Sequence, residues 1–316
     1  MTILLTGGAG FIGTHLTERL LAQGDTVHII DNFNALYDPA LKRQNVSRHA
    51  CAARLHIHEG DLCDPLFLRP LFRQHTFEAV VHLAALPGVR SSFEQAEAYH
   101  RVNVTGTQTL LDAMRAHGVR RLVFGSSSSV YGETERHRAS EANARPAPIS
   151  PYAQTKQLAE ALCQHYCEAY GFSVNCLRFF TVFGPLQRPD MAIYQFLHRI
   201  LTQQPISIYG DGSSSRDFTY VTDVAAGIAQ ALHHWRGFQL YNIGSGANTT
   251  VAQLVRLMEE ATGQTAQLQF GHRQPGDVSH TWADLTKATQ QLHYEPTVCL
   301  AEGVRYMATW MRGVMG

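Results

Sequence analysis

Ile3-Leu-Leu-Thr-Gly-Gly-Ala-Gly-Phe-Ile-Gly13 decides the fold: a short apolar run, glycines at 7, 10 and 13, and the start of a helical pattern over 11–23. Glycines between a strand and a helix let the backbone approach a pyrophosphate, whose charge settles on the amides of the helix N-terminus. Gly13 also permits close packing of that helix on the strand. Asp31 ends the second apolar run. A carboxylate there accepts hydrogen bonds from an adenosine ribose and repels a 2′-phosphate, which favours NAD over NADP. A tight turn with an N-capping Asp is the plainer alternative. The candidate dinucleotide contacts here are Gly7, Gly10, Phe11, Ile12, Gly13, Asp31 and Asn32.

Short apolar runs continue at 26–30, 54–58, 79–83, 122–125 and 174–179, separated by helical patterns at about 11–23, 64–75, 93–117 and 151–170. Continuous apolar strands alternating with helices belong to a parallel sheet covered on both faces. The expected fold is α/β, a doubly wound Rossmann-type parallel sheet over 1–180. Beyond about 180 the pattern breaks into turn-rich loops and late helices near 250–261 and 282–292. Residues 181–316 are expected to form a smaller C-terminal substrate-binding lobe. The two parts interleave: a segment near 215–246 returns to the sheet through the strand pattern at 239–245.

At 316 residues the chain suggests two lobes. Its 26 Lys plus Arg balance 26 Asp plus Glu, so nothing calls for nucleic acid or an anionic membrane. A small-molecule partner is expected. Six cysteines lack Cys-x-x-Cys spacing, which fits reduced thiols and a cytoplasmic setting. The start of the chain lacks a charged n-region, and no apolar run nears a membrane-spanning length. Among 17 histidines no metal-ligand spacing is apparent, and no metal is assigned.

Ser150-Pro-Tyr-Ala-Gln-Thr-Lys156 puts Tyr152 and Lys156 on one helix face. An ammonium near a phenol favours the phenolate, a base able to take a proton from a sugar hydroxyl. An ordinary amphipathic helix with an exposed Lys carries the same spacing. Asp61 follows the third strand and either flanks an adenine or caps a helix.

These residues resemble the extended short-chain dehydrogenase/reductases, and within them the NAD-dependent nucleotide-sugar epimerases and dehydratases. The resemblance spans essentially the whole chain. It includes His82-Leu-Ala-Ala85, Phe124-Gly-Ser-Ser-Ser-Ser-Val-Tyr-Gly132, Leu177-Arg-Phe-Phe-Thr-Val-Phe-Gly-Pro185 and Arg216-Asp-Phe-Thr-Tyr-Val-Thr-Asp-Val224. It implies that Tyr152 is the catalytic base, that Lys156 holds the nicotinamide ribose, and that Ser127 and Ser128 bond the reacting hydroxyl. Leu62, Leu83, Ala84, Ala85, Asn103 and Ser126 would add cofactor contacts, with Asp61.

The dehydratases of this group carry an Asp-Glu pair where this chain has Ser128 and Ser129, because eliminating water needs a further acid and base. The decarboxylases tend to have Glu at the second position. Epimerisation at C4, with one hydride removed and returned through a transient 4-keto sugar, fits best. Pro185-Leu-Gln-Arg-Pro-Asp-Met-Ala192 and Leu86-Pro-Gly-Val-Arg-Ser-Ser92 are similar to UDP-glucuronate 4-epimerases, in which the arginine matching Arg188 meets the sugar carboxylate. A guanidinium suits that task, and with Thr181 it would keep a β-keto acid out of the alignment that releases carbon dioxide. Pairing of Arg188 with Asp190 is the alternative. Pro87, Arg90, Ser129 and Met191 complete the expected sugar contacts, and Arg216 the diphosphate contact. The Gly210-Asp-Gly-Ser loop would close over the same phosphates, Asp217 orders the segment, and Asp277 meets the uridine ribose or forms a turn. Gln274 departs from the arginine of several UDP-glucose epimerases, which weakens a phosphate role for Arg273. UDP-glucose or UDP-N-acetylhexosamine epimerisation, decarboxylation, net reduction and non-catalytic NAD binding remain rivals. Helices near 93–117 and 151–170 either pair across a homodimer axis or pack within one subunit. A cell-surface polysaccharide or capsule precursor is a natural use for UDP-galacturonate.

Overall fold

The computed structural model describes residues 1–49, 51–133, 137–142, 147–274 and 276–315. Strands β1 (Thr2–Thr6), β2 (Thr26–Asp31), β3 (Leu55–Glu59), β4 (Ala79–His82), β5 (Arg121–Ser127) and β6 (Ser173–Phe179) alternate with helices. The helices are α1 (Phe11–Ala22), α2 (Pro39–Ser47), α3 (Pro65–Gln74), α4 (Val89–Glu94), α5 (Ala96–His100), α6 (Gly106–Ala116) and α7 (Pro151–Tyr170). There follow β7 (Thr181–Phe183), α8 (Ala192–Leu201), β8 (Ile206–Tyr209), β9 (Ser215–Arg216), β10 (Phe218–Tyr220), α9 (Val221–Ala231) and β11 (Phe238–Ile243). Last come β12 (Thr249–Thr250), α10 (Val251–Thr262), β13 (Leu268–Gly271), α11 (Thr286–Leu292) and α12 (Leu300–Met315).

Seven parallel strands form one sheet in the order β11-β6-β5-β4-β1-β2-β3. Leu16 and Leu20 of α1 and Val224 and Ile228 of α9 bury one face, while Leu68 of α3, Leu110 and Met114 of α6 and Ala159 and Cys163 of α7 bury the other. Burial on both faces explains the unbroken apolar runs. The chain steps outward from β1 through β2 to β3, then resumes at β4 on the other side of β1. That reversal leaves a crevice beyond the carboxyl ends of β1 and β4, where ligands of such sheets bind.

The segment near 215–246 divides. β10 pairs with β7 in a separate two-stranded sheet, α9 packs on α1, and only β11 joins the main sheet, beside β6. A further core gathers Leu197 of α8, Leu254 and Met258 of α10, and Val304 and Met307 of α12.

Two helices differ from expectation. The single pattern at 93–117 is broken into α4, α5, a π-helical turn Arg101–Thr105 and α6. The wide turn carries Asn103, whose amide is drawn to Leu86, and Thr107 Oγ1 bonds back to Asn103 O at 2.7 Å. The helix expected from 282 starts at Thr286, because Trp282 O accepts from Ala139 N (2.7 Å) and Ala283 N donates to Asp217 (3.1 Å). Helices α2, α8, α9 and α12 are additions. Among the described residues no helix is long and apolar enough to cross a membrane.

Candidate active site

The glycine loop follows β1 at the crevice. Gly7 takes φ of 72°, and a Cβ on it would come within 2.7 Å of Ala84 N. A Cβ on Gly13 would fall 2.3 Å from Gly7 O. Only bare backbone fits at either point. Gly10 caps helix α1 without a side-chain hydrogen bond, and Phe11, Ile12 and Gly13 of its first turn line the crevice. That is an anion cradle, and it fits a dinucleotide pyrophosphate.

The crevice opens into a cavity of about 880 Å³, within the range of ligand pockets. Its wall carries Gly7, Gly10, Phe11, Ile12, Gly13, Asp31, Asn32, Asp61, Leu62, Leu83, Ala84, Ala85 and Ser126. It also carries Pro87, Arg90, Ser127, Ser128, Ser129, Tyr152, Lys156, Thr181, Arg188, Met191, Arg216 and Asp277. One expected residue, Asn103, lies outside the wall. Its amide accepts from Leu86 N (2.8 Å) and donates to Leu86 O (3.0 Å) and Thr155 Oγ1 (3.0 Å). Asn103 therefore positions the Pro87 loop from behind. Tyr99 does the same, donating to Pro87 O at 2.7 Å.

Asp31 Oδ2 accepts from Ala9 N (3.2 Å) and Oδ1 from Phe33 N (2.9 Å), and Lys42 Nζ stands 3.6 Å from Oδ1. Sequence reading passed over Lys42. Asp38 capping a helix that begins with Pro39 was the available signal, since that pairing marks a helix start. Asp61 caps its own turn through Cys63 N at 2.8 Å. Ser126 reaches the wall, but its hydroxyl donates to buried Glu160 at 2.6 Å.

Helix α7 opens with Ser150, whose Oγ accepts from Ala153 N at 3.2 Å, and with Pro151 in the first turn. This sets Tyr152 beside the positive end of the helix. Partial burial pushes its phenol above the ordinary value, opposed by a hydrogen bond with Ser127 and by the charge of Arg188. Lys156, one turn further along α7, lines the same cavity. Its ammonium donates to Gly125 O at 2.8 Å and stands 5.0 Å from the Phe124 ring centre, and burial lowers it to about 8.

Ser127 Oγ accepts from Ser129 N (3.1 Å) and donates to Ser129 Oγ (3.0 Å), so these hydroxyls share one network beside Tyr152. Arg188 Nε and Nη2 donate to Asp190 Oδ1 and Oδ2 at 3.0 and 2.9 Å.

At another part of the wall Arg90 pairs with Asp277 at 2.9 Å and covers the Tyr209 ring at 4.4 Å. Arg216 and Arg273 line the same region, and each of Arg273 and Arg90 bears electrostatically on Arg216. Three cations so close suit a diphosphate. Gly210–Ser213 is not in the wall, although Tyr209 and Ser214 on either side are. The loop at 273–277 includes Pro275, which lies outside the described residues. Asp217 accepts from Ser245 N, Gly246 N and Ala283 N at 2.7, 3.0 and 3.1 Å, so it orders its segment.

A glycine-lined anion cradle, a Tyr-Ser pair and an arginine cluster in one cavity define an enzyme acting on a nucleotide-linked substrate. The chain belongs to the GDP-mannose 4,6 dehydratase family, whose model matches residues 4–307, and with it to the extended short-chain dehydrogenase/reductases. It is 37% identical over 310 residues to a UDP-glucuronate 4-epimerase of Thermodesulfobacterium geofontis, covering 98% of this chain and 95% of that one. A solved structure of UDP-glucuronic acid 4-epimerase from Bacillus cereus, in complex with UDP-glucuronic acid and NAD, superposes with a TM-score of 0.94 at 35% identity, covering 99% and 100% of the two chains. UDP-glucose 4-epimerase from Thermotoga maritima, with UDP-glucose, gives 0.93 at 32% identity and covers 100% of each.

Proposed function

We propose that this chain is an NAD-dependent UDP-sugar 4-epimerase that interconverts UDP-glucuronate and UDP-galacturonate. The observation that carries the reading is Arg188, a guanidinium that lines the same cavity as Tyr152 and can meet a sugar carboxylate there. Gly7, Gly10 and the first turn of α1 would hold the NAD pyrophosphate, and Asp31 the adenosine ribose. Bound NAD+ supplies a hydride acceptor at C4, a positive charge, and the hydride that returns.

The residues of the chain handle the proton and the sugar. Tyr152, as phenolate, accepts the proton of the C4 hydroxyl, and in the return direction gives it back. Ser127 and Ser129 hold that hydroxyl in line. Arg90, Arg216 and Arg273 grip the diphosphate, about which the sugar turns to present its other face. Dehydration is disfavoured because the carboxylates of the wall are engaged elsewhere: Asp31 with Lys42, Asp61 with Cys63 N, Asp190 with Arg188, and Asp277 with Arg90. A second reading rests on the same loop. Arg188 is already satisfied by Asp190, which would suit a neutral sugar such as UDP-glucose. We further assign a homodimer through α6 and α7, supported by Leu158 standing 47% exposed on α7.

The test is incubation of the purified protein with UDP-glucuronate without added reductant, with product separation and assay of carbon dioxide. A stable mixture with UDP-galacturonate supports the reading. A UDP-pentose with carbon dioxide means decarboxylation, and turnover of UDP-glucose alone means the neutral-sugar enzyme.

A further inference from the structure

Four histidines meet on the outer edge of the main sheet, away from the cavity. In the β2–β3 register His28 stands opposite His56, and Ile30 opposite His58, so strand alternation puts His28, His56 and His58 on one face. His75, at the C-terminal end of α3, leans over the same spot. The His28 ring centre lies 4.4 Å from that of His56 and 4.4 Å from that of His75. His28 Nδ1 and His58 Nε2 are 3.0 Å apart. One ring nitrogen from each of His28, His58 and His75 lies within 4.8 Å of the others.

We infer that His28, His58 and His75 form a site for a divalent transition cation of the zinc class. Two neutral imidazole nitrogens at hydrogen-bond distance share one proton; when that proton shifts to the other nitrogen of its own ring, both lone pairs face one point that a metal can occupy. Tetrahedral ligands about 2.0–2.1 Å from zinc stand roughly 3.4 Å apart, so the His28 and His58 nitrogens need to separate only slightly. His75 closes the remaining distance by side-chain rotation, which its partial exposure permits. Imidazole is a favoured ligand for Zn2+, Cu2+ and Ni2+, and no carboxylate or thiol is needed. Water or His56 supplies the fourth position. His28 and His58 sit on strands that are rigid in the sheet, and β3 is its edge strand. The ion would tie that edge to α3. Its role is structural, and the inference stands apart from the epimerase reading because none of these histidines lines the cavity.

The test uses the tag-free chain, stripped with EDTA and titrated with ZnCl2 alone by calorimetry and with CoCl2 alone by visible absorption. The expected result is one ion per chain, a Co2+ spectrum of a tetrahedral nitrogen site, and a rise in Tm with Zn2+. His58→Gln and His75→Gln should each weaken binding at least tenfold and abolish the rise in Tm, while His233→Gln, exposed just beyond α9, leaves both unchanged. Circular dichroism verifies that the variants are folded, and His75, at a helix end and not in the sheet, provides a second variant should His58→Gln fail to fold. Unaltered binding in both folded variants, or no binding at 0.1 mM free Zn2+ (a ceiling of about 5.5 kcal/mol on affinity), would overturn the site and leave a stacked histidine cluster.

Discussion

Arg188 grips Asp190 with both arms of its guanidinium, Nε to Oδ1 at 3.0 Å and Nη2 to Oδ2 at 2.9 Å, in the wall that also holds Tyr152. The guanidinium side chain is 13% exposed and the carboxylate 54%, so the acid is the member that can move into solvent. A substrate carboxylate would take over the fork that Asp190 occupies. Charge-assisted hydrogen bonds contribute about 1.5–3 kcal/mol, a factor of roughly 10 to 150. Replacing Arg188 with Ala should therefore lower kcat/KM for UDP-glucuronate by about that factor beyond any loss on UDP-glucose, which shares only the effect of the Arg188 charge on Tyr152. Equal losses on both sugars would remove the clamp.

Tyr152→Phe keeps the ring and its edge-on contact with Tyr99 (centres 6.3 Å apart) while deleting the acid-base oxygen. Loss of a positioned general base costs about 10²- to 10⁴-fold in rate. We expect kcat to fall by that amount with NAD retained in the purified protein, as read from absorbance after denaturation. Full turnover would rule Tyr152 out as the base.

Glu160 lies buried behind the serine network. It accepts from Ser126 Oγ (2.6 Å), Arg178 Nε (2.9 Å) and Arg178 Nη2 (2.7 Å), and Arg178 is 2% exposed with its guanidinium 4.7 Å from the Tyr131 ring centre. Removing one member leaves an uncompensated buried charge, at a cost of about 3–5 kcal/mol. Glu160→Ala should lose that much in urea denaturation, and the double variant Glu160→Met with Arg178→Met should lose less than the sum of the singles. Additive losses would refute the coupling.

His82 is buried between Thr6 Oγ1 (2.7 Å from Nδ1) and Thr107 Oγ1 (3.0 Å from Nε2), and burial lowers it to about 3. Thr107 donates to Asn103 O, so it accepts from Nε2–H, and the ring is held neutral. Its folded-state value lies below the unfolded one of about 6.5, so between those values the unfolded chain binds more protons and stability falls with falling pH. The loss at pH 5 is about 2 kcal/mol. Denaturant titrations at pH 7 and pH 5 should show a smaller acid penalty in His82→Gln than in the natural chain. Identical penalties would contradict the assignment.

Much of this molecule follows from short-range pattern. The glycine spacing, the apolar strands and the spacing of Tyr152 and Lys156 act over a few residues, where backbone sterics and helical periodicity leave little choice. The broken helix before α6 was not legible, because the π turn depends on Asn103 reaching Leu86, outside the window of any periodicity. Lys156 lies on the expected face, yet the carbonyl it meets belongs to Gly125 on another element.

A doubly wound α/β fold with a dinucleotide loop is written in the chain itself, as are the glycine loop, the serine cluster, Tyr152 and Lys156 of the cavity wall, since those signals are local. Only the tertiary structure decided who pairs with whom. Arg90 meets Asp277 across 187 positions, Lys156 meets the carbonyl of Gly125, and His28, His58 and His75 converge from two strands and a helix end. Side-chain encounters of this kind are set by sheet register and by helices packing across it, which no spacing along one chain encodes.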